Sequence, residues 1–372
     1  MRKITDTLIL VLNLVVAAGL LMAYLAPFVN PAKLFFPALF GLAYPYLLMG
    51  NLIFLCFWII RLKKEVLISL VVILAGWNHL NNLVPLNRGS RQLPEEATDS
   101  RIFGVMSYNV QGFGLYRWGH DPVKRNHILT FIDDRKPDIV CLQEYHTSPV
   151  RGESHLAISG HLKHLPESAV YFTSDRNNRN GFGMVTFSRF PIIKQSRIPF
   201  TGSINAAMYT DIRILEDTVR VFNIHLQSIR FQKDHYAFMD TVRFKYSADQ
   251  MREIRRIGSR LRMAFSMRAE QASMINGYIR DSPHPVIVMG DFNDTPQSFA
   301  YRKIRRGLYD AFRKSGRGFG NTYAGELPSF RIDHIMYSDP LVPYRFKRIK
   351  TNDSDHFPIT TLFYLPANII GK

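Results

Sequence analysis

The feature that most constrains this chain is an uncharged apolar segment close to its amino terminus. Residues 7–28 carry no charged side chain. As an α-helix rising about 1.5 Å per residue, the segment would be about 33 Å long, enough to cross the ~30 Å hydrocarbon core of a bilayer. A secretory signal has a shorter apolar core, about 7–15 residues, and here more apolar sequence follows directly. The pattern therefore predicts a retained membrane helix.

Two further apolar segments, 34–60 and 65–86, complete an amino-terminal region at 1–86. Proline is tolerated in a membrane helix but bends it, so Pro37 and Pro45 should bend the segment at 34–60. The second half of the segment at 65–86 carries four polar side chains: Asn78, His79, Asn81 and Asn82. These side chains suit an interface better than a bilayer centre. We favour an amino-terminal bundle of about three transmembrane helices; the alternative is two spans followed by an interfacial helix.

The loop charges predict the orientation of these helices. Five basic residues precede the first span or lie between the second and third: Arg2, Lys3, Arg61, Lys63 and Lys64. Only Lys33 lies between the first and second. Because basic loops stay in the cytoplasm, three spans place the rest of the chain outside the cytoplasm, and two would place it inside. We expect an integral protein of the cell or inner membrane, with a polar linker at 87–101 and an extracytoplasmic domain at 102–372.

The composition points to anionic partners. The net charge is +17, which favours nucleic acid, anionic lipid headgroups or phosphate esters. The chain has two cysteines, and Cys56 lies in an apolar segment, so no disulfide is expected within the domain at 102–372. Nothing in the sequence indicates an obligate protein partner.

Short apolar runs alternate with amphipathic stretches from residue 102 onward. Strands are predicted at 102–108, 138–142, 182–188, 205–214, 219–226, 285–290, 331–337 and 358–365. Helices are predicted at 121–135 and 247–280, and the second is strongly basic. Strands and helices mixed within one domain predict an α/β or α+β sandwich.

Polar residues recur where the predicted strands end. They are Asn109, Gln143, Glu144, His225, Asp291, Asn293 and, around the last two strands, Asp333, His334, Asp355 and His356. Loops that follow strands commonly present catalytic groups on a rigid scaffold. Carboxylate and amide oxygens are the ligands that Mg²⁺ and related hard cations prefer. The set therefore predicts a Mg²⁺ or Mn²⁺ site that also contains a carboxylate base and two histidines.

These residues lie in segments that resemble the endonuclease/exonuclease/phosphatase, or deoxyribonuclease I-like, superfamily. The segments are SYNVQGF (107–113), CLQEYH (141–146), GFGMVTFSRFPI (181–192), FNIHLQS (222–228), VIVMGDFNDTP (286–296), RIDHIMYS (331–338) and SDHFPI (354–359). The resemblance implies a four-layer α/β sandwich, in which two mixed sheets pack face to face with helices outside. It also implies an active site at one end of the sheets.

The resemblance implies a metal-binding group and a catalytic group. Glu144 matches the metal-binding glutamate, Asn109 the amide near the metal and phosphate, and Asp355 an aspartate that binds the metal or supports its ligands. Gln111 stands where several family members have an acidic residue, and either a metal role or a turn role fits it.

Five positions match catalytic residues of the family. Asp291 matches the residue that positions or deprotonates the attacking water, and Asn293 the donor to a phosphoryl oxygen. His356 matches the histidine that stabilises the charged transition state. Asp333 matches the carboxylate that orients it, and His225 the second phosphate-facing histidine. Together they imply metal-assisted attack of water on a phosphate ester. His334 alternates with Asp333 along a strand and is expected to face away from the site.

Two departures bear on the substrate. Apurinic endonucleases carry a Tyr-x-Pro-Asn motif where this chain has Asn223-Ile224-His225-Leu226, a form similar to sphingomyelinases, inositol 5-phosphatases and deoxyribonuclease I. Residues 229–265 mix basic with aromatic and apolar side chains. This mixture fits an anionic membrane surface, a nucleic-acid strand or a solvated helix. The prediction is a membrane-anchored metal-dependent phosphoesterase; the alternative is a membrane-anchored nuclease acting on DNA or RNA.

Overall fold

The structure is a computed structural model that describes residues 2–85, 98, 101–114, 122–175, 181–229, 248–325 and 329–367. Most of the predicted linker at 87–101 and the first part of 229–265 lie outside the described residues. The described chain contains an apolar helical region followed by a two-sheet domain at 101–367.

The amino-terminal region is broken into shorter helices than the sequence predicts. They are α1 (Arg2–Leu25), α2 (Phe36–Leu42), α3 (Tyr44–Ile60), α4 (Val66–Ala75) and α5 (Trp77–Leu83). Within the described residues, one helix, at Ile4–Leu25, is long and apolar enough to cross a membrane. The α2–α3 and α4–α5 pairs bend by 68° and 70°, and each counts as a span only if its two helices are taken together.

The spans predicted at 34–60 and 65–86, and with them the three-span bundle, stay a prediction, because each of these segments is broken into two helices. Pro45 lies in the first turn of α3, where its missing N–H costs no hydrogen bond. A new helix can therefore begin at this position with a direction different from that of α2. Gly76 separates α4 from α5, and glycine has a low helix propensity. The bend expected within 34–60 is present at Ala43, next to Pro45, whereas Pro37 lies in the first turn of α2.

A buried polar network joins α1, α3 and α4. The Asn13 side-chain amide donates to the Ser69 hydroxyl at 2.8 Å, and that hydroxyl donates to Asn51 Oδ1 at 3.2 Å. Trp58 Nε1 donates to Asn13 Oδ1 at 3.0 Å. Hydrogen bonds between polar side chains hold helices together in apolar surroundings. The three helices therefore pack as one unit.

The two-sheet domain contains twelve strands in its described part. They are β1 (Ile102–Asn109), β2 (Ile139–Thr147), β3 (Glu167–Asp175), β4 (Gly181–Ser188), β5 (Ile192–Pro199), β6 (Ala206–Ile214), β7 (Asp217–His225), β8 (Val286–Asp291), β9 (Tyr309–Asp310), β10 (Asp333–Tyr337), β11 (Val342–Arg348) and β12 (Ile359–Tyr364). One sheet has the order β11-β12-β1-β2-β4-β3, and the other has the order β5-β6-β7-β8-β10-β9. All eight predicted strands are present, while β3, β5, β9 and β11 were not predicted.

Of the five helices described in this domain, four cover the outer faces of the sheets, and the last contributes Ala311 and Phe312 to the core between them. The five helices are α6 (Pro122–Arg135), α7 (His155–Ser159), α8 (Ala248–Arg280), α9 (Phe299–Ile304) and α10 (Ala311–Ser315). Alternate residues of β1 point to opposite layers: Val105 packs between the sheets, whereas Met106 packs outward with Ile128 of α6. On the other side, Ile224 of β7 packs against Ile275 of α8. The predicted two-sheet sandwich with helices outside is confirmed.

The strand register brings the polar strand ends to one edge. The parallel pair β7–β8 sets His225 beside Asp291, and the antiparallel pair β8–β10 sets Asp291 beside Asp333. Gly290 has φ +145°, and a Cβ there would overlap the carbonyl group of Ile224. Glycine is therefore required where β7 and β8 approach each other next to this edge.

The amino-terminal helices contact the two-sheet domain close to the same edge. His79 Nδ1 of α5 lies 2.6 Å from Gln297 Oε1, and Gln297 Nε2 donates to the His79 carbonyl at 3.2 Å. Arg331, just before β10, donates to the Asn82 carbonyl at 3.1 Å. Gln297 follows Asp291 by six residues, so one loop connects the polar edge to the helical region.

Candidate active site

Asp291 lies at the centre of the polar edge and is almost fully buried. Its Oδ2 accepts hydrogen bonds from the amides of Asn109 at 3.0 Å and Asn293 at 3.1 Å. Nε2 of His225 and Nε2 of His356 each lie 3.7 Å from the same oxygen. Four side chains from four separate parts of the chain therefore meet at one carboxylate oxygen.

The backbone beside Asp291 is shaped to present it. Asn293 has φ +50°, a conformation that asparagine adopts more readily than most residues. This turn lets the Asn293 N–H donate to Asp291 Oδ1 at 2.7 Å. Burial raises the pKa of Asp291, and Asp333 adds to the effect, while His356 and His225 oppose it. A carboxylate with a raised pKa is a stronger base toward water.

His356 is held by Asp333. Its Nδ1 lies 2.9 Å from Asp333 Oδ2, and the Asp333 N–H donates to the Thr322 hydroxyl at 3.0 Å. Burial alone would lower the pKa of His356, but the charges of Asp333 and Asp291 outweigh it and raise the pKa well above its usual value. This arrangement favours a protonated imidazole, whose Nε2 lies 3.7 Å from Asp291 Oδ2.

Glu144 reaches the site because β2 is irregular. The pairing of β2 with β4 shifts between Gln143 and Tyr145, and Glu144 has φ +52°. A bulge of this kind re-aims a side chain. Glu144 Oε1 lies 3.3 Å from the Asn109 amide nitrogen and 3.7 Å from His225 Nε2. Burial, together with the charge of Asp355, raises the pKa of Glu144 to about 7.

The crowding of carboxylates around Glu144 fits a divalent cation. After burial, the charges of Asp355 and Asp291 contribute to the raised pKa of Glu144, and a cation beside Glu144 would relieve this repulsion. Hard oxygen ligands of this kind suit Mg²⁺ or Mn²⁺. In the present arrangement Asn109 turns its amide nitrogen toward Glu144 and its oxygen toward the Gln111 N–H. A direct metal role for Asn109 and Asp355 stays a prediction.

A second group of potential ligands is formed by Asp291, Asp333 and His356, whose donor atoms lie within 4.8 Å of one another. The charges of Asp333 and Asp291 raise the pKa of His356 well above its usual value, which favours a protonated ring. An imidazolium repels a cation and already uses its Nδ1 on Asp333. The residues offer two candidate cation positions, one at Glu144 and one at this triad.

Every predicted site residue lies at this edge, whereas His334 does not. The His334 ring packs against Phe292 and Tyr301, on the opposite side of β10. Burial and the neighbouring Arg331 lower its pKa to about 3. The expectation that His334 is structural is confirmed. Gln111 is buried, and its N–H donates to Asn109 Oδ1 at 3.0 Å, so its backbone supports the turn after β1.

Two supporting residues were not predicted from the sequence. Arg268 of α8 is fully buried, with its Nε 3.1 Å from Asp294 Oδ2 and its Nη1 3.1 Å from the Gln227 carbonyl. It ties the loop after Asp291 to the end of β7. The sequence feature that could have indicated its role is a single arginine within the apolar face of α8. The Ser354 hydroxyl donates to the Asn109 carbonyl at 2.7 Å and joins the two ends of the domain.

Solved structures with similar folds are enzymes and catalytic domains of low sequence identity. One is the endonuclease/exonuclease/phosphatase from Beutenbergia cavernae, 16% identical, with a TM-score of 0.51 over 71% of this chain and 72% of that one. Another is the human Nocturnin catalytic domain with a bound sulfate anion, 18% identical, with a TM-score of 0.50 over 72% and 95%. A third is the endonuclease/exonuclease/phosphatase from Bacteroides vulgatus, 15% identical, with a TM-score of 0.50 over 71% of this chain and 99% of that one. At such identities the likeness shows the fold alone.

The family comparison extends over most of the chain. Residues 6–83 match a domain of unknown function (DUF8431), which coincides with the amino-terminal helical region. No curated protein matches the chain in sequence. Residues 106–356, which contain the complete polar edge, match the Endonuclease/Exonuclease/phosphatase family. The chain therefore belongs to the endonuclease/exonuclease/phosphatase family.

Proposed function

We propose that this protein is a membrane-anchored phosphoesterase that depends on a divalent metal ion and hydrolyses a phosphodiester or phosphomonoester presented at or near the membrane. Members of the family are hydrolases that act on phosphate esters, and they typically use divalent metals. The observation that carries the proposal is the convergence of two amides and two histidines on the buried Asp291 carboxylate.

Each residue around Asp291 has a role that follows from its contacts. Asp291 accepts the proton of the attacking water, because its pKa is raised and its oxygens face the cluster. The His356 imidazolium, held by Asp333, stabilises the negative charge that develops on the phosphoryl group. The amide of Asn293 and the ring of His225 lie beside Asp291, where they would orient the phosphoryl oxygens by hydrogen bonding.

The carboxylate of Glu144 is the principal candidate ligand for Mg²⁺ or Mn²⁺, with Asn109 and Asp355 beside it. When bound, such an ion polarises a phosphoryl oxygen and so makes phosphorus more open to attack. The bonds of Asn109 to both Glu144 and Asp291 keep the metal-binding and proton-accepting carboxylates in one fixed arrangement.

The amino-terminal helices support a location at the membrane. α1 has the length and composition of a span, and the contacts of α5 with Gln297 and Arg331 join the helical region to the site edge. At the other end of the helices, Arg61 pairs with Asp6 at 2.7 Å, next to the basic residues Lys63 and Lys64. We propose that this end is cytoplasmic and that the two-sheet domain is extracytoplasmic.

A lipid headgroup is the substrate that this arrangement favours. A site edge tied to membrane helices meets phosphate esters of the bilayer at high local concentration, whereas a soluble phosphate ester gains nothing from the anchor. The form of the strand around His225, which resembles sphingomyelinases, 5-phosphatases and deoxyribonuclease I rather than apurinic endonucleases, is compatible with this choice.

A nuclease that acts on DNA or RNA is the second candidate. The observation that favours it is the arginine-rich first half of α8, which includes Arg252, Arg255, Arg256, Arg260 and Arg262. Arginines together with apolar side chains can follow a nucleic-acid backbone and stack on bases.

The experiment that separates the two candidates offers several substrates to one preparation. The full-length chain in lipid nanodiscs is incubated with Mg²⁺, or with excess chelator, and given phospholipids, sphingomyelin, inositol phosphates, plasmid DNA and RNA. We expect metal-dependent release of a phosphorylated headgroup or of phosphate, which the Asp291→Asn variant does not catalyse. Rapid cleavage of DNA or RNA without headgroup release would make the nuclease the correct assignment.

A further inference from the structure

The first part of α8 extends beyond the body of the two-sheet domain. α8 contains 33 residues, which corresponds to about 50 Å of helix. Among its residues of known burial, from 251 onward, the first buried one is Ala264, and within 251–263 every residue is exposed or half-buried. We call residues 251–263 the α8 arm. The arm carries side chains that the proposed chemistry does not use.

The α8 arm has two chemically different faces. Four of its five apolar side chains recur every three or four residues and form one stripe, Met251, Ile254, Ile257 and Leu261, while the fifth, Met263, lies on the other side of the helix. Met251 is 41% exposed and Ile254 is 50% exposed. The arginines lie on the opposite face and its flanks: Arg252, Arg255, Arg256, Arg260 and Arg262. A helix with an apolar stripe and a cationic face is typical of helices that lie in the membrane interface.

The base of the arm meets the amino-terminal helical region. Phe265 continues the apolar stripe, and its ring lies 5.9 Å from the ring of Phe35, measured between centroids. The neighbours of Phe35 are exposed apolar residues, since Leu34 is 50% exposed and Phe36 is 64% exposed. The stripe is therefore continuous with apolar surface of the helices proposed to enter the membrane.

We propose that the α8 arm lies on the surface of the same membrane, with its apolar stripe toward the acyl chains and its arginines toward anionic headgroups. The inference rests on the membrane anchoring in the proposed function, but not on the identity of the substrate. A nucleic acid bound to the arginine face would leave Met251 and Ile254 in water, whereas an anionic bilayer accommodates both faces of the helix.

The arm would set the position of the active site. Arg268, one turn beyond Phe265, contacts Asp294 and the carbonyl of Gln227, both next to catalytic residues. A helix fixed at the bilayer surface therefore holds this edge of the domain close to the headgroups. The contact of His79 with Gln297 supplies a second fixed point, so the domain is held at two places rather than swinging on a linker.

Site-specific fluorescence tests the proposal in the full-length protein. In a Cys56→Ser background, in which the remaining Cys141 is buried, an environment-sensitive dye is attached to Ile254→Cys, Arg256→Cys or Val15→Cys. The proteins are placed in nanodiscs of phosphatidylcholine with or without phosphatidylglycerol. We expect the dye at 254 to be blue-shifted, quenched by lipid-borne quencher and protected from iodide in the anionic discs. The dye at 256 should show less lipid quenching and more iodide quenching.

Charge variants link this contact to the arginines. Combining Arg255→Gln with Arg262→Gln should remove most of the lipid quenching at 254 in anionic discs. Arg280→Gln, which changes an arginine with a 78% exposed side chain at the far end of the same helix, is the matched control and should leave the quenching unchanged.

The dye at 15 separates failure of the arm from failure of the anchor. Val15 is 64% exposed on α1 and should be quenched by lipid in every disc. If the dye at 15 is lipid-quenched while the dye at 254 is open to iodide, the arm does not lie on the membrane. If the dye at 254 is shielded from both quenchers, protein covers the stripe and the proposal is equally wrong. If the dye at 15 is not lipid-quenched, the anchor on which both proposals rest is absent.

Discussion

Replacement of Asp291 by asparagine tests the centre of the proposed mechanism. The amide keeps the size of the side chain but accepts no proton from water. General-base catalysis contributes about 10²–10⁴-fold to rate, which corresponds to about 3–5 kcal/mol of transition-state stabilisation. We therefore expect the Asp291→Asn variant to lose this factor in kcat/KM at saturating Mg²⁺.

The contacts of Asp291 predict a much smaller effect on folding stability. One oxygen of Asp291 accepts the Asn293 N–H and the other accepts two side-chain amides. In an asparagine, the NH₂ group would replace one of these oxygens and would face a hydrogen-bond donor. A mismatch of this kind costs about 1–3 kcal/mol. The loss of a buried charge beside Asp333 offsets part of that cost. The variant should fold, with a modestly lower melting temperature.

The assay compares wild type, Asp291→Asn and Asp281→Asn on a chromogenic phosphodiester, together with melting temperatures. Asp281 is exposed and pairs only with its neighbour Arg280 in the described chain, so the same substitution there should change neither quantity. The His356 imidazole gives a second readout, because removal of one of its two neighbouring carboxylates should lower its pKa in an NMR titration. Near-normal turnover by Asp291→Asn at saturating metal would refute the assignment of Asp291 as the base.

Three further predictions concern the metal, the core and the topology. Glu144→Gln should raise the Mg²⁺ concentration needed for half-maximal activity, and an unchanged metal titration would contradict its role as a ligand. His334 has a folded pKa of about 3 against an ordinary 6.5, so protons bind the unfolded state first and stability falls as the pH drops below 6.5. Between pH 7 and 5 the free energy of unfolding, measured by chemical denaturation, should fall by about 2 kcal/mol. The His334→Gln variant should show a weaker dependence on pH. A reporter active only outside the cytoplasm, fused after Arg101, should be active; activity of a cytoplasmic reporter alone would exclude the three-span topology.

The amino-acid sequence by itself determined the inner strands and named the candidate residues that the fold brings to one edge. The strands β1, β2, β7 and β8 are predictable because they are buried on both faces and appear as continuous apolar runs. Each ends in a polar residue, and strand ends are local features of a sequence. That is why Asn109, His225 and Asp291 could be named before any contact between them was known.

The strands that escaped prediction lie at or next to sheet edges. β5, for example, spans Ile192–Pro199 with mostly exposed side chains, so it lacks the apolar alternation that marks a strand. β9 contains two residues and exists only because it pairs with β10. Such strands are stabilised by pairing with neighbouring strands. Their own sequences contain no local pattern that would predict them.

Only the tertiary structure decided how the site is assembled. The bulge at Glu144 depends on the pairing of β2 with β4, and the raised pKa of His356 depends on two carboxylates that are distant in sequence. The buried Arg268 and the contact of His79 with Gln297 likewise join segments far apart in the chain. A sequence can indicate which groups a site contains, because residue types and strand ends are local. Distances, charges and burial between those groups arise only when separate strands and helices pack, since each depends on the surroundings that the fold provides.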